Sequence, residues 1–290
     1  MASGVLMLIF SFLAFYKVDG GGLFESQKWS AWSNALSLFP LTTIVVIATV
    51  GLAVVVAVNR FASAGLPERV GLYSWSDLRL LVGVLGTITL LSFMFRSGGI
   101  DKGIGLYICT LAGIGLIAGA VMERSEAGLN TADDTDSGGP PSPGDWVIVG
   151  AGVVILIGSF LNVIEETSAW GEAAFPIYAI PAILGVVMAI HIVVTKLAGA
   201  DLPGSILGLS WNQIHIALGG WAALTMICLL IGRITVEGDD VSRKIGFWIM
   251  LLAAIGLAVG AVMRLQEVNR PGTPVAPPPG GSPPPPPPPA

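Results

Sequence analysis

Eight near-continuously apolar stretches restrict the fold of this chain more than any other feature: 2–18, 38–59, 78–95, 103–122, 146–164, 174–195, 212–232 and 246–263. An α-helix needs about 20 apolar residues to cross roughly 30 Å of hydrocarbon. A transmembrane β-barrel would show alternating strands of about ten residues instead. Runs such as Thr42-Thr43-Ile44-Val45-Val46-Ile47 are β-branched, but in lipid the backbone must bond within its own segment, which favours the helix. The sequence therefore predicts an all-α integral membrane protein with eight transmembrane helices. Composition agrees: 53% of the 290 residues are hydrophobic and 11% charged, under half the charge of an ordinary soluble domain at about 25%.

Internal similarity divides the spans. Gly4-Val5-Leu6-Met7-Leu8-Ile9-Phe10-Ser11-Phe12-Leu13 matches Gly152-Val153-Val154-Ile155-Leu156-Ile157-Gly158-Ser159-Phe160-Leu161. Ser30-Ala31-Trp32 matches Ser168-Ala169-Trp170, and Phe39-Pro40 matches Phe175-Pro176. Leu66-Pro67 with Ser74-Trp75 matches Leu202-Pro203 with Ser210-Trp211, and Gly119-Ala120-Val121-Met122 returns as Gly260-Ala261-Val262-Met263. Five matches in the same order predict two tandem four-helix units, over 1–122 and 146–265. An even number of spans per unit makes them parallel repeats, whereas inverted repeats need an odd number. The internal counterpart also speaks against reading Met1–Val18 as a signal peptide, since it lacks a basic start and a small-residue cleavage site. The second copy carries Trp146-Val147-Ile148-Val149 ahead of its match and the first does not, so a start codon further upstream is an expectation.

Between the units, 123–145 is expected to be an acidic Gly/Pro linker, with Glu123, Glu126, Asp133, Asp134, Asp136 and Asp145 against Arg124. The segment 266–290 is expected to be a disordered Pro-rich tail; it ends in seven prolines, Pro283 to Pro289, which favour extended polyproline II. Seven lysines and arginines flank the spans on each side, so the positive-inside rule gives no orientation. Both termini are assigned to the cytoplasm of a bacterial inner membrane as the commoner arrangement. The net charge of −5 excludes the basic stripe that a nucleic-acid partner requires.

Polar residues inside spans are costly in lipid and are candidates for function. His191 lies deep in the sixth span, ten residues after Pro181, which is expected to kink that helix or free a backbone carbonyl. Its counterpart in the first unit is Val55. His215 starts the seventh span beside Asn212 and Gln213, where the first unit has Arg79, Ser76 and Asp77. His191, Pro181, His215 and Asn212 are the candidate ligand or transport residues. The alternative is a neutral histidine bonded to a neighbouring helix, with Asp77 and Asn212 as helix caps. Glu165 and Glu166 read as solvated loop carboxylates.

Gly115 and Gly119, like Gly256 and Gly260, stand four apart. That spacing serves a dimerisation face or close packing within a bundle, and packing is the expectation. Trp32, Trp75, Trp170 and Trp211, with Trp146 and Trp248, fall at span ends and read as interfacial anchors. Cys109 and Cys228 sit in apolar runs as small hydrophobes. No HExxH, GxSxG, Walker A or CxxC pattern occurs, so no enzyme, metal or cofactor is expected. Gly20-Gly21-Gly22 and Gly98-Gly99 read as loop glycines.

At Ser11-Phe12-Leu13 with Tyr16, Ser30-Ala31-Trp32, Gly105-Leu106-Tyr107 and Gly246-Phe247-Trp248, the chain resembles a loose group of uncharacterised actinobacterial multi-pass membrane proteins with four-span units and Pro-rich tails. The proline and tryptophan of that group after Ser-Phe-Leu are Ala14 and Phe15 here, and Asn162 and Val163 in the second copy. The resemblance implies kind rather than mechanism. The expected function is a structural or scaffolding membrane component whose tail recruits a protein partner, with homo-oligomerisation as a further option. The alternative is a small-solute or lipid transporter or channel near His191 and Pro181.

Overall fold

The computed structural model describes residues 1–18, 27–34, 38–62, 65–96, 101–126, 140–172, 174–232, 235–236, 239–240 and 242–268. Of the expected tail 266–290, residues 266–268 are helical, and 269–290, linker residues 127–139, Gly20-Gly21-Gly22 and Gly98-Gly99 lie outside the described residues.

The protein is an all-α membrane protein. Helices α1 (Ala2–Ser11), α2 (Leu41–Ala57), α3 (Trp75–Met94) and α4 (Ile104–Glu126) form the first half. Helices α5 (Pro143–Phe160), α6 (Ala179–Ile192), α7 (Trp211–Ile231) and α8 (Ile245–Val268) form the second. Helices α2 and α6 each end in a π-helical turn, Val58–Ala62 and Val193–Leu197. Among the described residues seven helices are long and apolar enough to cross a membrane.

The first expected span is the exception. Helix α1 covers ten residues, about 15 Å at 1.5 Å per residue and half a bilayer core. Beyond it the chain folds back, and Tyr16–Val18 pairs as a strand with Gln27–Trp29 and with Asp101–Lys102. The fifth span likewise stops at Phe160, short of the expected 164, and Asn162–Ile164 pairs with Thr167–Ser168. The cause is the same in both places. The carbonyls of Ser11 and Ser159, orphaned at a helix end, accept from Ala31 and Ala169 N–H at 3.1 and 3.0 Å. The hydroxyls of these serines accept from the Trp32 and Trp170 indoles at 2.9 Å each. Phe12 stacks on Trp32 and Phe160 on Trp170. In the first half, burial of Phe15 and Tyr16 supports the fold-back. Tyr16 donates to the carbonyl of Phe93, and burial raises its hydroxyl pKa above the ordinary range.

The expected linker is also shorter than 123–145. Helix α4 runs to Glu126 and α5 starts at Pro143, on a Ser142–Asp145 capping box that satisfies the first orphan N–H groups. Arg124 and Asp145 are 4% and 2% exposed, so they belong to the bundle.

Each half closes into a ring. Helix α1 packs on α2 and α4, and α3 packs on α2 and α4; α5 to α8 repeat this order. The ring contacts correspond in detail. A Cβ on Gly4 would meet Ala53 and Thr49, and one on Gly152 would meet Ala189 and Gly185. The Trp75 and Trp211 indoles donate to the carbonyls of Pro67 and Pro203 at 2.8 Å each. Helices α3 and α7 begin on capping boxes, Ser74–Asp77 and Ser210–Gln213.

The halves meet through α2 and α7 and through a bond from the Trp221 indole to Thr89 Oγ1 at 3.2 Å. Two hairpins also clasp across the boundary. In one, Arg69–Val70 and Tyr73–Ser74 pair, and Gln213 donates to Leu72 O at 2.8 Å while Tyr73 donates to Gln213 O at 2.9 Å. In the other, Ser205–Ile206 and Leu209–Ser210 pair, and Leu207 O accepts from Arg124, which is ion-paired to Asp77.

Candidate functional site

The buried charged and imidazole side chains among the described residues gather at one end of the bundle, where α3, α5 and α7 begin and α4 and α8 end. In the second half the site is assembled around His215, which is 1% exposed. His191, on α6 and 5% exposed, stacks on Trp211 with ring centroids 3.6 Å apart. His215 stands edge-on to His191 at 4.9 Å. Arg264 Nη1 lies 2.9 Å from His215 Nδ1 and 3.3 Å from Asp145 Oδ1. The Asp145 carboxylate also accepts from Ser142 N–H at 2.9 Å. Beside it, Glu267 accepts from Gly144 N–H.

This geometry fixes a tautomer. A guanidinium donates only, so His215 Nδ1 carries the lone pair and its proton sits on Nε2. Ring centroids 4.9 Å apart suit two imidazoles on one metal, but a metal at His215 Nε2 would have to displace that proton and leave an imidazolate facing Arg264. With Nδ1 facing Arg264 and the proton on Nε2, neutral His215 has no lone pair left for a metal. Among the described residues no group of three or more His, Cys, Asp or Glu is placed to hold a metal ion.

His191 and His215 are therefore brought together, and Asn212, 8% exposed, lies one turn from His215 on α7. Both ring nitrogens of His191, Nε2 of His215 and Oδ1 of Asn212 are buried without a hydrogen-bond partner. Pro181 is not part of the site. It occupies the first turn of α6, where its missing N–H is one of the groups that lack a partner anyway, so it does not act as the expected mid-helix kink. Ten residues of helix place it about 15 Å along the axis from His191.

The first half is built differently at the corresponding place. Arg79 pairs with Glu123, donating to Oε1 at 2.7 Å, and also donates to Trp75 O at 3.2 Å. Its side chain is 19% exposed and that of Glu123 45%. Asp77 caps α3 and pairs with Arg124.

The glycine pairs differ in the same way. A Cβ on Gly256 would lie 3.3 Å from Ala151, and one on Gly260 2.8 Å from Ile148, so that pair seats α5 within the bundle. Gly115 faces Ser3, and Gly119 has nothing within 4 Å of an added Cβ. Trp32, Trp75, Trp170 and Trp211 spend their N–H groups on their own half. Glu165 and Glu166 are exposed in a turn.

Sequence reasoning missed Arg264 and Asp145. Ser142-Pro143-Gly144-Asp145 carries a capping-box spacing ahead of an apolar run, which marks Asp145 as helical. Nothing local marks Arg264 as the partner of His215. Comparison with protein-family models, curated proteins and solved structures finds no match.

Proposed function

We propose that this is a structural, non-enzymatic component of a bacterial inner membrane, built as two parallel tandem four-helix units with both termini in the cytoplasm and eight helices in all. One observation carries the reading: the polar groups that a transport path would need are largely committed to holding the bundle together. Arg264 joins α8 to α5 and α7, Arg124 joins α4 to α3 and to the other half, and Gln213 and Tyr73 clasp the halves. Matching serine–tryptophan, proline–tryptophan and capping-box contacts in the two halves support the repeat. On this reading the seven prolines Pro283 to Pro289 recruit a protein with an aromatic-lined groove, and the bundle anchors it.

The test is quantitative mass spectrometry of proteins co-purifying with tagged full-length chain and with a chain lacking residues 271–290. Proteins retained only with the tail are the expected result. An identical set with and without the tail overturns recruitment.

A second reading rests on the unpartnered nitrogens of His191 and His215: transport of a small solute through the second half. It requires His191→Ala to abolish solute flux in reconstituted vesicles with folding intact. Unchanged flux removes that site.

A further inference from the structure

The two halves carry opposite charge on the hairpins that follow α1 and α5. Tyr16 pairs with Trp29 as Ile164 pairs with Thr167, at the same spacing from Ser11 and Ala31 as from Ser159 and Ala169. The next residues toward each tip are therefore equivalent, Lys17 to Glu165 and Lys28 to Glu166. Both positions reverse their charge. Lys17 and Lys28 stand directly opposite each other in register, which costs stability within a sheet. Glu165 and Glu166 form the turn of the shorter hairpin and are exposed. No ion pair among the described residues uses any of the four.

Their neighbours leave the contrast in place. Asp101 lies beside Lys17 and Lys102 beside Tyr16, so the first corner stays basic. At the second, Arg243 donates inward to the carbonyls of Leu229 and Gly232. The exposed Lys244 offsets only one of the two glutamates.

Placement follows from the rings. The first hairpin pairs with Asp101–Lys102 just ahead of α4, and the second bridges to Arg243 just ahead of α8, so both stand at the end where α4 and α8 begin. In each ring the α1–α4 and α5–α8 edges lie opposite α2–α3 and α6–α7, and the boundary between the halves runs through α2, α3 and α7. The basic and acidic corners thus mark opposite flanks of one molecule. In the single orientation proposed above, every copy holds them at one depth in the bilayer. First flank against first flank sets lysine on lysine; second against second sets glutamate on glutamate. Only first against second brings opposite charges together.

We propose that the chain binds a second copy of itself head to tail, with Lys17 and Lys28 of one copy against Glu165 and Glu166 of the next. Charges of this kind choose the partner surface more than they add affinity. The contact is heterologous, so it builds a ring where the rotation closes and an open array where it does not. The inference rests on the structural reading above and gives that component its partner, without using the tail or His191.

The experiment uses full-length chain in native membranes, treated with a short bifunctional maleimide, while Cys109 and Cys228 stay buried. The variant with both Lys28→Cys and Glu166→Cys is expected to give a ladder of dimers, trimers and larger species; either substitution alone gives none. Adding Lys17→Glu lowers the ladder yield about tenfold, the ratio that turning one attraction at about 4 Å into a repulsion supports in water. Adding Glu165→Lys as well restores it. Deleting residues 271–290 leaves the ladder in place, which separates this contact from tail recruitment. Crosslinking by either single variant alone overturns the proposal, because like flanks then meet. So does a double variant that links only within one chain or not at all, or a ladder unchanged by Lys17→Glu.

Discussion

Where α3 and α7 begin, the two halves use corresponding positions for different chemistry. In the first, Arg79 of α3 meets Glu123 of α4 in a partly exposed pair. In the second, His215 of α7 meets Arg264 of α8, both almost fully buried, with Asp145 brought in by α5. The difference follows from cover. The first pair is reached by water, and each charge is partly solvated. Under α5 a lone cation would be prohibitive, so Arg264 requires a carboxylate on one side and an imidazole lone pair on the other. The same backbone arrangement thus holds an ion pair of small worth in one half and a dry, mutually dependent network in the other.

The sharpest way to break this comparison is to remove each arginine. Arg264→Leu strands the Asp145 carboxylate in the interior, at a cost of about 3–5 kcal/mol. Arg79→Leu removes a partly exposed pair worth about 0.2–1 kcal/mol. Thermal unfolding in one detergent reads both, and equal losses would refute the role given to α5. A middle-sized effect separates the glycines. Gly144→Ala places its Cβ 2.6 Å from the Arg264 backbone nitrogen, an overpacking cost of about 1–3 kcal/mol. Gly119→Ala meets open space and stabilises its helix by about 0.5–1 kcal/mol. Opposite signs in the same assay are the expected outcome.

The smallest effect lies at the boundary between the halves. The Tyr73 hydroxyl is pushed up to about 12, first by burial and then by the Asp77 carboxylate. Its neutral form donates to Gln213 O. The raised value means that its stabilising contribution is complete below the ordinary tyrosine pKa of about 10. It is lost as pH rises through 12. The unfolding midpoint should therefore fall over that alkaline window, and by less in Tyr73→Phe. An identical pH profile in the variant would contradict the clasp.

The membrane class was legible because a run of about 20 apolar residues has few alternatives. The helix ends were not, because they depend on groups far along the chain. Ser11 and Ser159 end their helices where Ser-Ala-Trp loops arrive to take the freed carbonyls. Phe12 to Tyr16 therefore read as one apolar span although the backbone has turned back. His191, His215 and Asn212 were legible as costly polar groups inside spans. Arg264, the partner of His215, was not, because α8 reaches α7 and α5 only through ring closure. Asp145 reads as linker by its acidic, Gly/Pro-rich neighbourhood, whereas the Ser142–Asp145 capping box places it on α5. Pro181 shows the reverse error: a proline is disruptive inside a helix and harmless in its first turn.

The crossed hairpin clasps have a consequence for how the polypeptide can be divided. Leu72 is held by Gln213 and Leu207 by Arg124, so each half grips the other through side chains on its own folded body. The peptide link between residues 126 and 140 then acts as a tether that raises local concentration, and recognition resides in the surfaces. Two open reading frames, one for each half, should yield fragments that find each other in the membrane and co-purify as a pair.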